Sequence, residues 1–201
     1  RGADSIVALR GDPPKGSDSF QAVEGGLRYA NELVELIRES FSDQFGIAVA
    51  GYPEVHQEAP DAKTDLDNLK RKVDAGATRA ITQFFFQAET FFRFRDLCEK
   101  AGINIPILPG ILPVQSWKGT KRFAETCGTH IPTARAHAFE TAERDGRSEL
   151  LATAVATELC STLLDGGAEH LHFYTLNDPK LTRDVVHALG LAPDVALENV
   201  A

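Results

Sequence analysis

Apolar residues along this chain recur in two rhythms. Short runs rich in β-branched, leucine and aromatic residues at 5–9, 46–52, 79–86, 105–111 and 170–176 predict buried strands. Between them, apolar positions return at helical spacing over about 21–41, 61–76, 88–101, 115–126, 148–165 and 180–190. Glycine in "DAGA" (74–77), "AGI" (101–103) and "DGGA" (165–168) falls where a helix would stop before the next strand. Strands alternating with helices at this spacing specify parallel βαβ units whose sheet is covered on both faces.

Two parallel architectures satisfy that pattern, an open doubly wound sheet and a closed β/α barrel. Neither a GxGxxG fingerprint nor a GxxxxGK[ST] phosphate loop follows any of the strands, which weakens an open-sheet nucleotide binder. Polar or special residues gather instead where strands end: Arg10 and Asp12, then Tyr52, Glu54 and His56, then Gln83, then Pro109 and Pro113, then Tyr174 and Asn177. A barrel enzyme builds its site from the loops at that face, so an α/β fold of the (β/α)8 TIM-barrel type is expected. Residues 1–201 read as a single domain that supplies five strand/helix units, so a complete eight-stranded barrel would need three more strands upstream.

Charge and cysteine usage narrow the partners. A net charge of -8 argues against a nucleic-acid groove or an anionic membrane surface as the main partner, since both favour basic proteins. Cys98, Cys127 and Cys160 stand far apart with no CxxC, which predicts reduced thiols rather than a disulfide framework or a zinc site. No secretory signal or apolar run of spanning length is present, and a cytoplasmic protein is expected. The chain has no methionine and starts almost on a strand, so residue 1 is not expected to be the natural N-terminus.

Candidate chemistry concentrates after the second strand. Pro53 and Pro60 hold a loop, and Asp61 or Thr64 can cap the next helix. On that helix Asp65, Asn68 and Lys72 share one face, with Arg71 beside it. Such a stripe can hold hydroxyls and phosphates of an extended ligand, although spacing alone favours a solvated helix face. Gln83, inside an apolar strand, either satisfies a core neighbour or faces a ligand. His170 and His172 alternate along one strand face, but no carboxylate pattern completes a metal site, and none is expected.

The segments "ALRGDPP", "YPEVH", "DLDNLKRKVDAGATRAITQFFF", "PGILPV" and "HFYTLN", in this order and spacing, strongly resemble the methylenetetrahydrofolate reductase family over about residues 5–191. The resemblance implies a flavoprotein barrel that uses FAD to carry a hydride from NADH or NADPH to 5,10-methylenetetrahydrofolate, with the present strands as the family's fourth to eighth. It implies flavin contacts at Arg10, Gly11, Asp12, Tyr29 and Ala30, and further FAD contacts at Tyr52, His56, Ala59, Asp65, Asn68, Arg71 and Lys72. Folate would meet Asp12, Gln83 and Phe123, and a homo-oligomer is expected. Asp12 would be the catalytic residue. Its carboxylate can hydrogen-bond the pterin and disfavour negative charge on the reduced flavin by about 4 kcal/mol at ~4 Å and an effective dielectric near ~20.

The sequence departs from the family pattern in three places. The first three strands are not among these residues, nor is the glutamate that serves as general acid. Asp178 stands where arginine usually follows "HFYTLN", and Gly119 where a glutamine is common. Two other readings stay open, a different flavin-dependent barrel oxidoreductase and a non-catalytic fragment.

Overall fold

The computed structural model describes residues 2–11, 13 and 20–191, which carry five strands and seven helices. The strands are β1 (Ser5–Ala8), β2 (Gly46–Gly51), β3 (Arg79–Phe84), β4 (Ile107–Ile111) and β5 (His172–Phe173). The helices are α1 (Ala30–Phe41), α2 (Ala62–Asp74), α3 (Ala88–Lys100), α4 (Trp117–Cys127), α5 (Thr133–Arg144), α6 (Ser148–Asp165) and α7 (Lys180–Ala188). The strands neighbour one another in sequence order, β1-β2-β3-β4-β5. Ser5 pairs with Gly46, Ala48 with Arg79, and Gly110 with His172, all in parallel. An α/β fold with a parallel sheet wound in one direction is what the alternating pattern predicted.

The chain divides into two compact units, Arg1–Gln83 with Glu89–Pro109, and Phe84–Ala88 with Gly110–Ala201. In the first, Val34 and Ile37 of α1, Ile47 and Val49 of β2, Leu69 of α2, and Phe94 and Cys98 of α3 form the core. Gly51 closes β2 where space is short, since a Cβ there would stand 3.2 Å from the Phe94 ring. Arg38, near the end of α1, ties the opposite end of this unit together. Its guanidinium donates to the carbonyls of Gly76 (3.0 and 2.7 Å), Ser42 (2.8 Å) and Phe45 (3.0 Å). Gly76 has φ of 114°, a conformation open to glycine and strained for other residues.

In the second unit the Trp117 and Phe139 rings stack with centroids 4.9 Å apart, and Phe84, Phe86 and Leu181 join that core. Ala152, Ala156, Cys160 and Leu163 line the buried stripe of α6. α4 has both end signals: the Ser116 hydroxyl accepts from the Gly119 N–H, and Gly128 stops the helix in the left-handed conformation.

Four elements depart from the sequence reading. α1 begins at Ala30 rather than near 21, because Gly25 and Gly26 make a turn (Gly26 N–H to Val23 O, 2.8 Å) and Tyr29 is extended. β4 begins at Ile107, although the carbonyl of Pro106 before it already accepts the Ala80 N–H of β3 at 2.9 Å. β5 is cut to two residues, since Leu176 and Asn177 both take positive φ in the turn after it. α5 had no apolar stripe to reveal it: only Phe139 and Ala142 are buried along its length. Among the described residues no helix is long and apolar enough to cross a membrane.

Candidate functional site

In the first unit a cavity of about 660 Å³ opens where β1 and β2 end. Leu9 and Arg10 leave β1 into its wall, and Phe20, Tyr29 and Ala30 border it from the approach to α1. Ala50 and Tyr52 come from the end of β2, with His56, Glu58, Ala59 and Pro60 from the connecting loop. The α2 face carrying Asp65, Asn68, Arg71 and Lys72 completes the lining. The stripe that spacing alone assigned to solvent therefore looks into a cavity.

Ten of the residues predicted to hold a cofactor meet there: Arg10, Tyr29 and Ala30, Tyr52, His56 and Ala59, and the four of the α2 stripe. Gly11 does not line the cavity, and a Cβ added to it would meet nothing within 4 Å. Asp12 lies outside the described residues. Pro60, which the sequence marked as holding the loop, lines the wall as well, and so do Phe20, Asn31 and Glu58, which nothing in the sequence singled out.

The loop over the cavity is held from α2. Buried Asp65 accepts the His56 N–H at 2.9 Å, and Asp61 caps the helix by accepting the Thr64 N–H at 2.7 Å. His56 in turn accepts the Glu58 N–H on Nδ1 (3.1 Å) and the Ala59 N–H on its carbonyl (2.9 Å). Its ring meets Tyr52 edge to face at 4.5 Å. Val55 pays for this tight path with a φ of 70°, which a β-branched residue rarely adopts. Glu58 Oε2 lies 2.7 Å from Arg10 Nη2, joining this loop to the segment after β1.

Burial dominates the cavity's electrostatics. It raises the Asp65 carboxyl above the usual carboxylate range, against the opposing pull of the His56 N–H and the Lys72 charge. It lowers Lys72 to about 8, against the attraction of Asp65. The Lys72 ammonium donates to the Ala50 carbonyl and lies 5.9 Å from the Tyr52 ring centroid, and Arg71 donates to Asn68 Oδ1. Three cations among the lining residues, two of them held by neutral oxygen acceptors, suit an anionic group such as a diphosphate. A carboxylate and an amide on the same helix face can receive and donate to hydroxyls. The lining and the volume fit an elongated cofactor.

The folate candidates fall outside this lining. Gln83 is half-buried on β3 between buried Thr82 and Phe84. Phe123, on α4 in the second unit, is 37% exposed, and its ring stacks on that of Phe84 at 5.3 Å. Asp178, one residue before the N-cap Pro179, accepts the Lys180 N–H at the start of α7 at 3.0 Å, while Gly119 lies in the first turn of α4.

The family model described as methylenetetrahydrofolate reductase matches residues 1–190. A 5,10-methylenetetrahydrofolate reductase of Escherichia coli (strain K12) is 47% identical over 189 residues, covering 94% of this chain and 61% of its own length. Methylenetetrahydrofolate reductase (NADH) 1 of Arabidopsis thaliana is 42% identical over 200 residues, covering 94% of this chain and 34% of its own. The chain thus spans about three fifths of the bacterial relative and a third of the plant one. Among solved structures, an uncharacterized protein from Clostridium thermocellum that binds two copies of 5-methyl-5,6,7,8-tetrahydrofolic acid superposes with a TM-score of 0.52 at 17% identity. That superposition covers 89% of this chain and 65% of the other, and it supports the fold alone.

Proposed function

The chain belongs to the methylenetetrahydrofolate reductase family, and from that premise we propose that it is the cofactor-binding part of a flavin-dependent β/α-barrel oxidoreductase. The reaction proposed is reduction of 5,10-methylenetetrahydrofolate to 5-methyltetrahydrofolate with NADH or NADPH, in a cytoplasmic homo-oligomer. The five strands correspond in this reading to the fourth to eighth of an eight-stranded barrel, and both compact units belong to that one domain. The observation that carries it is the convergence of Arg10, Tyr52, His56 and the α2 stripe on one cavity at the strand ends.

Bound FAD would supply hydride acceptance and donation, so that the two substrates react in turn. The chain's own residues bind and orient. Arg71 and Lys72 hold the diphosphate, Asp65 and Asn68 meet sugar hydroxyls, and Tyr52 and His56 form an aromatic edge against which a flat ring can lie. Asp12 hydrogen-bonds the pterin amino and ring N–H groups and orients folate for hydride transfer. The family resemblance assigns folate contacts to Gln83 and Phe123.

The test is the absorption spectrum of the purified protein, then anaerobic mixing with NADH or NADPH and finally with methylenetetrahydrofolate. Bleaching by the nicotinamide and recovery on adding the folate is the expected result. A colourless protein that cannot be reconstituted with FAD refutes the cofactor, and a reduced flavin that folate fails to reoxidise favours a different flavin oxidoreductase.

A further inference from the structure

The cavity wall contains an ion pair whose acidic member neither the helix stripe nor the family resemblance assigns. Arg10 Nη2 and Glu58 Oε2 are 2.7 Å apart, with side-chain exposures of 21% and 47%. Half-exposed pairs of this kind contribute little to stability. The significance of this one is geometric.

Glu58 is fixed from behind. Its backbone N–H donates to His56 Nδ1, the Ala59 N–H donates to the His56 carbonyl, and the His56 N–H is held by buried Asp65. The turn includes Val55 at a φ of 70°, and backbone strain of this kind persists only where surrounding contacts over-determine the chain. The carboxylate therefore projects from a braced stretch of backbone. Arg10 leaves β1 on a different segment, and its guanidinium lies 5.0 Å from the Phe20 ring centroid. Among the three cations of the cavity, Arg71 bonds Asn68 on its own helix and Lys72 bonds the Ala50 carbonyl. Among the described residues, only Arg10 of these three is placed by a carboxylate from another segment. The pair engages Nη2, and a guanidinium has further N–H donors for a ligand.

We propose that Glu58 is a positioning residue of the cofactor cavity, acting through Arg10 to hold its guanidinium ready for an anionic group of the flavin dinucleotide. The proposal rests on the FAD reading above. A side chain ordered before binding does not have to be ordered by the ligand, so the ion pair raises affinity without touching the cofactor.

The experiment is FAD titration of the flavin-free protein for the parent, Glu58→Gln, Arg10→Gln and the double variant. Glu58→Gln should raise the FAD dissociation constant about 3- to 10-fold, or about 0.7–1.4 kcal/mol. Arg10→Gln should cost at least as much, and the double variant no more than Arg10→Gln alone, because Glu58 acts only through Arg10. The melting temperature of flavin-free Glu58→Gln should match the parent's, which separates positioning from a general structural role. Losses that add in the double variant, or a Glu58→Gln protein that binds FAD as tightly as the parent or more so, would overturn the proposal and leave the FAD reading intact. A parent that takes up no FAD overturns both.

Discussion

Replacing Lys72 by methionine tests the electrostatics of the cavity directly. In the folded protein burial brings this lysine from 10.5 to about 8, which at about 1.36 kcal/mol per factor of ten makes its charge cost the folded state about 3 kcal/mol. Below pH 8 the lysine is protonated whether folded or unfolded, and the cost is felt in full. Between pH 8 and 10.5 the unfolded chain binds the proton more tightly, so stability rises with pH by up to about 1.4 kcal/mol per pH unit. Cys98 and Cys160 act in the opposite sense. Burial raises their thiols from 9.0 to about 12, so above pH 9 the unfolded chain sheds protons that the folded one keeps, and stability falls.

Comparison with Lys72→Met cancels the cysteines and isolates the lysine. The absolute stability of the variant at one pH is not decisive, because the Ala50 carbonyl loses its donor at a cost of about 1–3 kcal/mol. The pH slope is decisive. In urea denaturation of the flavin-free proteins, the variant's advantage over the parent should shrink, or its deficit grow, by about 1.4 kcal/mol between pH 7 and pH 9. A difference that stays constant over that range would mean that Lys72 is solvated and that the cavity does not desolvate its wall.

Three further outcomes are expected. If the chain binds FAD and folate as proposed, with Asp12 at the flavin, Asp12→Asn should raise the flavin midpoint potential by tens of mV and slow folate reduction more than NAD(P)H oxidation, and spectroelectrochemistry with stopped-flow half-reactions checks both; an unchanged potential with unchanged folate turnover contradicts it. Arg38→Ala should destabilise the first unit by about 2–4 kcal/mol in urea, with Arg38→Lys recovering only part, because an ammonium cannot reproduce the fork that meets Gly76, Ser42 and Phe45. Gly119→Ala should raise the melting temperature, worth up to about 1 kcal/mol, since the new Cβ meets only Ser116 at 3.5 Å or more and glycine is a poor helix former; a lower melting temperature would show that the first turn of α4 needs glycine.

The strands and most helices were legible because each buries a periodic apolar face against a sheet, as Ile47 and Val49 do in β2 and Val34 and Ile37 in α1. α5 was not, since its polar and alanine-rich sequence is helical by propensity and anchored mainly by one phenylalanine. The α2 stripe could be seen in the sequence, but periodicity reports only which residues share a face and not what the face looks at. Asp65, Asn68 and Lys72 became cavity residues through the path of the loop above them. Glu58 and Phe20 had no signal at all: one is a carboxylate in a polar loop and the other a lone aromatic, and each meets the Arg10 guanidinium that a different part of the chain brings to it.

The guanidinium of Arg38 and the cavity sit at opposite ends of β2. Arg38 fastens carbonyls that precede β2 and β3, whereas the cavity is built from the segments leaving β1 and β2. Variation can therefore be partitioned. Loops beyond the strand ends can be recombined or lengthened to alter what the protein accepts while the fastening beneath stays intact. A library confined to residues 52–60 should retain folded members at a rate that one of equal size around residues 42–46 and 75–78 would not.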